Sequence, residues 1–188
     1  MALIVLAIPL GYLVAYGSYG FRLAFGQFSD WVHGVGRVST GLTQLLLLAA
    51  GGLAFGLILK VLRWERFRGP AHVIVAVHER GGKMDVRDGI VTAACDALAL
   101  GMGASVGRYG PAVQLGATIG SILGQSIGLT RAGLRVLLGC GVAAAISASF
   151  NAPIAGVLFA QEVILGHFSI RTFVPLVLSS VVATILSQ

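Results

Sequence analysis

Two prolines stand where helices would begin inside uncharged, apolar runs. Pro111 follows Gly107-Arg108-Tyr109-Gly110, and Pro153 follows Asn151-Ala152. Proline suits the first helical turn, because its missing N–H would be unpaired there anyway. A helix that begins within a membrane is tolerated only where it is buried in protein or lines a cavity. Its free N–H groups and the positive end of its dipole then make a site for an anion. Broken helices aimed at the bilayer midplane mark transporters. These residues alone point to an anion pathway.

Other residues offer less chemistry. Arg108, Asp96 and Glu162 are ionisable groups among apolar neighbours. Such groups are costly in a bilayer and face a cavity or a partner. For Arg108 two readings stand: electrostatic support for anions, or a side chain reaching the interface. Asp96 and Glu162 are expected to pair with arginines. Gly103-Ala104-Ser105-Val106-Gly107 fits the nucleophile-elbow pattern, but that motif needs a strand–turn–helix in an α/β sheet, which nothing here suggests. No phosphate-binding loop of the G-x-x-x-x-G-K-[ST] type occurs, so no enzyme is expected. His33, His72, His78 and His167 lack ligand spacing, and Cys95 and Cys140 lie in apolar stretches. Neither a metal nor a cofactor is expected, and the cysteines read as small buried hydrophobes.

The elements that must position these residues follow from composition. The chain has 188 residues, of which 56% are apolar and only 11% charged. Soluble domains average about 25% charged residues. Mean hydropathy is +0.91. Most of the surface therefore does not face water, and the expected class is an all-α, polytopic membrane bundle. A spanning helix takes roughly 20 residues, so the chain has room for about six or seven membrane segments and no soluble domain. Residues 1–188 are read as one membrane domain, and the apolar start, without a basic leader, as a first membrane helix.

Uncharged runs at 1–21, 38–59, 109–130, 136–161 and 172–188 set the layout. Seven of the 13 basic residues and four of the seven acids fall between positions 60 and 88. By the positive-inside rule that block, read as a solvated linker, is cytoplasmic. Two spans precede it, so the N-terminus is expected there too. The pI of about 10.0 reflects scarce acids, and no nucleic-acid partner is expected. Gly116, Gly120, Gly124 and Gly128 recur every four residues, and Gly52 and Gly56 repeat the spacing. On a helix this makes a ridge of small residues for close packing.

The stretch from Gly101 to Gly116, with Gly107-Arg108-Tyr109-Gly110-Pro111-Ala112-Val113-Gln114 at its centre, resembles the CLC family of chloride channels and proton-coupled chloride exchangers. That family carries Gly-Arg-Glu-Gly-Pro followed by Val-Gln. Phe150-Asn151-Ala152-Pro153-Ile154-Ala155-Gly156 is similar to its second helix-start motif. The resemblance implies two inverted repeats in a dimer with one pore per subunit, of which this sequence matches the first. It implies chloride as the transported ligand, a lipid bilayer around an integral multi-pass chain, a homodimer, and a second half-repeat completing each pore. It also implies anion contact along Arg108, Tyr109, Gly110, Pro111, Ala112 and Val113.

Three departures shape the expected activity. The family's gating glutamate falls on Tyr109, and a phenol, with an ordinary pKa of about 10, stays neutral. The second of the family's paired glutamates, the internal proton position, falls on Val163, next to Glu162. The family's serine motif falls near Phe67-Arg68-Gly69-Pro70-Ala71, where no serine stands. Arg68 either attracts anions in its place or is a plain cytoplasmic-face arginine. The expected function is passive chloride transport without proton coupling. The alternative is a non-conducting structural or interaction half.

Overall fold

The computed structural model describes residues 2–35, 49–53, 56–57, 60, 69–101, 107 and 109–187. Regular structure among them is helical: α1 (Ala2–Val35), α2 (Pro70–His78), α3 (Val86–Gly101), α4 (Tyr109–Ser126), α5 (Arg131–Phe150), α6 (Pro153–Phe159), a π-helical continuation of α6 (Ala160–Leu165), and α7 (Ile170–Leu186). The run at 38–59, expected as a second span, lies largely outside the described residues.

Helix α5 is the hub. Its residues from Leu137 to Ala148 are all buried, and α1, α4, α6 and α7 all pack against it. The glycine ridge explains how α4 reaches it. A Cβ on Gly116 would meet the carbonyl oxygen of Gly141, and one on Gly141 would meet that of Gly116. A Cβ on Gly120 would lie 2.5 Å from the Leu137 carbonyl oxygen. The two backbones touch, which only small residues permit. Gly124 continues the ridge against Leu134.

Gly128 does not belong to it. Helix α4 has ended at Ser126, and Gly128 takes φ +70°. Leu129 N–H donates to Gly124 O at 3.0 Å, so Gly128 is the left-handed residue that closes the helix. Gly52 and Gly56 meet nothing within 4 Å among the described residues.

The charged block is not a plain linker. Its uncharged interior forms α2, with Val73, Ala76 and Val77 buried. Nine residues with a proline at the head and no Lys, Arg, Asp or Glu between Arg68 and Glu79 suffice for a short, half-buried helix. The turn that follows is tied to α4. Ser121 Oγ donates to Gly82 O at 2.7 Å and accepts from Met84 N–H at 2.9 Å, and Gln125 Nε2 donates to Met84 O at 3.0 Å.

Uncharged runs and helices do not share their ends. Helices long and apolar enough to cross a bilayer are two among the described residues, Leu3–Asp30 and Arg131–Phe150; Gly89–Leu100, Pro153–Leu165 and Ile170–Leu186 are shorter. Helix α1 runs on past Arg22, which donates to Ala148 O at 3.1 Å near the C-terminal end of α5. The uncharged run 136–161 is cut at Asn151, which adopts φ 53° and ends α5. Asparagine tolerates that conformation. Ala152 is then non-helical, as a residue before proline prefers, and Pro153 opens α6. Ser180 pins this start: it donates to Pro153 O at 2.9 Å, and its hydroxyl lies 2.6 Å from that of Ser147.

Gly116→Val and Gly141→Val should each lower stability by about 3 kcal/mol or more, since neither backbone can retreat. Gly52→Ala should stay within about 0.5 kcal/mol. Ser121→Ala should cost about 1–3 kcal/mol by orphaning Gly82 O and Met84 N–H. Thermal unfolding of the purified protein in detergent reads all four.

Candidate anion site at the helix starts

Helices α2 and α4 begin side by side. An added Cβ on Gly110 would lie 3.9 Å from Pro70 Cδ. Both run from this point toward the same end of the bundle, since the turn after α2 is bonded to Ser121 and Gln125 in the last turns of α4. Two positive dipole ends therefore meet, an arrangement that favours a negative charge between them.

The donors there are few. The first N–H groups of a helix have no partner within it. Pro70 and Pro111 remove one from each start. Ala71 remains on α2, and Tyr109 and Gly110 on α4. Ala112 and Val113 are buried on the following turn, where the amides belong to the helix ladder. The amides left without a helix partner are therefore those at the first residues of each start. Arg108 and Arg68 lie outside the described residues.

Tyr109 is the first residue of α4 and is 36% exposed. Its ring packs edge-on against Phe159, the last residue of α6, at 5.2 Å between centroids and 88° between planes. That contact holds an aromatic group at the start of α4. Gly107, two residues earlier, has φ +75°, which favours glycine before the helix start.

Glu162 and Val163 lie on the π-helical segment, and both are exposed, Val163 by 40%. Among the described residues neither Glu162 nor Asp96 forms an ion pair, so the expected pairing with arginines does not occur there. Asp96 is 3% exposed on α3. Sequence reasoning also passed over Gln114, which is fully buried with no hydrogen-bond partner for Nε2 or Oε1. The signal was present: Gln114 shares the α4 face of Gly110, Thr118, Ser121 and Gln125, all polar or small.

Comparisons with known proteins bear on the family and the fold. A family described as "Voltage gated chloride channel" matches residues 51–188. A ClcB-like protein of Ralstonia nicotianae is 34% identical over 94% of this chain and 44% of its own length. The voltage-gated ClC-type chloride channel ClcB of Escherichia coli O139:H28 is 29% identical over 98% of this chain and 46% of its own length. The chain therefore spans about half the length of the curated relatives it matches. A crystal structure of a CLC-type fluoride/proton antiporter superposes with a TM-score of 0.79 at 27% identity, covering 99% of this chain and 46% of that one. A slow cyanobacterial Cl-/H+ antiporter shares the fold, with a TM-score of 0.78 at 24% identity over 100% of this chain and 46% of that chain. Members of the family are integral membrane transporters or channels, and the helical fold here is the corresponding part of theirs. On the family match and the shared fold, this chain belongs to the voltage-gated chloride channel (CLC) family.

Proposed function

We propose that this chain forms half of a chloride pathway that is passive and not coupled to protons. The observation that carries the reading is Tyr109 at the head of α4, held by Phe159 where two helix starts converge. Backbone amides of the first turns bind the anion, and the Tyr109 ring sits in its path. The side chain offers a hydrogen-bond donor and no easily shuttled proton. Val163 offers none at the second position. Arg68 and Arg108 add positive potential near the helix starts. The protein is multi-pass, with the N-terminus and residues 60–88 on the cytoplasmic side, and works as a homodimer in which a second half-repeat completes each pore. Proton-coupled relatives are the counter-example, and the residues at 109 and 163 are the grounds for departing from them.

A second reading rests on Tyr109 and Val163, which stand where the family carries glutamates. In it, the chain is a structural or interaction half that does not conduct by itself.

Chloride efflux from liposomes separates these readings. Removing the ring in Tyr109→Ala should speed efflux up to about tenfold, the equivalent of one aromatic contact of about 1.4 kcal/mol. Tyr109→Glu should slow efflux at neutral pH, where the carboxylate is charged and competes with chloride. As pH falls through the ordinary glutamate value of about 4.3, the side chain neutralises and efflux should recover. Equal rates in all three proteins would remove Tyr109 from the path. Uphill proton movement driven by a chloride gradient would show coupling and overturn the passive reading. No efflux at all would favour the structural half.

A further inference from the structure

One face of α4 carries Gly110, Gln114, Thr118, Ser121 and Gln125, spaced by three or four residues. What it faces is fixed at four of these five positions. Gly110 lies beside Pro70, Thr118 against Gly89 of α3, and Ser121 and Gln125 against the turn at Gly82–Met84. Thr118 Oγ1 donates to Gln114 O at 2.7 Å, Ser121 to Gly82 O at 2.7 Å, and Gln125 to Met84 O at 3.0 Å. Each of these polar side chains has a partner. Gln114 does not, although it is fully buried, like Ser121 on the same face. A carboxamide has two donors and an acceptor oxygen, and leaving them all unpaired in an apolar interior is costly.

Helical side chains lean toward the N-terminus of their helix. Gln114 therefore leans toward Gly110, one turn above it, on the face that Pro70 closes. This is where the backbone is short of donors, since Pro70 and Pro111 each delete an N–H from the first turns. We propose that Gln114 is an anion ligand at the meeting point of α2 and α4: its Nε2 donates to the bound halide, and its Oε1 accepts from a water beside it. This inference rests on the chloride-pathway reading and names a side chain in that site. It gives the site a donor that neither helix start supplies through its backbone. Asp96 is the nearest argument against it. The antiparallel pairing of Gly89 with Thr118 carries Asp96 toward the α4 start, and an acid there disfavours an anion and favours water alone.

The test is the thermal unfolding midpoint of the purified protein in lipid nanodiscs, measured against chloride with gluconate keeping ionic strength constant. In the wild type, chloride should raise the midpoint in a saturable way. Gln114→Met removes every donor and acceptor while keeping the volume. It should unfold later in gluconate, because an unpaired polar group is gone, and should need about tenfold more chloride for half of the chloride effect, as expected for losing a hydrogen bond to a charged group. Gln114→Glu keeps the shape and, at a pH high enough to ionise it, presents only acceptors and a negative charge, so there it should abolish the chloride response; it also serves if the methionine variant fails to fold. A wild-type chloride response that Gln114→Met and Gln114→Glu both retain overturns the inference, assigns water alone to the carboxamide and leaves the pathway reading intact. A wild type without any chloride response overturns both.

Discussion

Backbone contact between α4 and α5 is the constraint on which the rest depends. At Gly116 and Gly141 each helix places a carbonyl oxygen where the other would carry a side chain. Lipid chains are as apolar as leucine, so helices in a bilayer gain little from burying apolar surface against each other. They associate through dispersion at close range and through polar contacts. An approach this close fixes the height of α4 along α5, and with it the position of Tyr109 and the free amides of the α4 start. The same device recurs at smaller contacts. Gly11 lets α1 approach Ser179 of α7, and Gly156 lets α6 approach Ser147 of α5.

A second face of α4 does the complementary work with hydrogen bonds. Ser121 and Gln125 hold the turn after α2, which sets where α2 ends and therefore where it begins, beside Gly110. Two helix starts with like dipole ends repel each other in a medium of low dielectric constant. Their juxtaposition is maintained by contacts at the far end of each helix, so the cost of holding two positive ends together is met by interactions remote from them. Such a site is preorganised for a negative charge. The unpaired carboxamide of Gln114, on the same face as the satisfied groups, belongs to the part of that face closest to the site.

The outer surface completes the picture of a membrane chain. Val5, Ile8, Tyr12 and Tyr16 on α1, and Ile170, Phe173, Val181 and Ile185 on α7, are exposed large hydrophobic side chains. In water such faces would be interaction patches. In a bilayer they are ordinary, and Tyr12 satisfies its hydroxyl by donating to Tyr16 at 3.2 Å. Polar groups inside the bundle are handled otherwise. Ser147, Ser179, Ser180 and Thr184 bond carbonyls of their own or neighbouring helices, as apolar surroundings require.

Composition alone determined the solvent of this protein: too few charges to cover its surface with water-facing groups. Motif chemistry determined the helix starts, because proline, its preceding residue and Asn151 each have narrow backbone preferences that act locally. The glycine spacing likewise predicted the α4 contact, since a four-residue period is a property of one helix. What needed the tertiary structure was every judgement that depends on a second element. Gly128 shares the spacing but lies beyond the end of α4, where it serves the turn. The charged block hides α2, because charges at its flanks say nothing of what packs on its interior. Asp96 and Gln114 read in sequence as two polar residues in apolar runs. Whether a buried polar group is paired depends on what the neighbouring helices present to it, and no spacing along one chain segment encodes that.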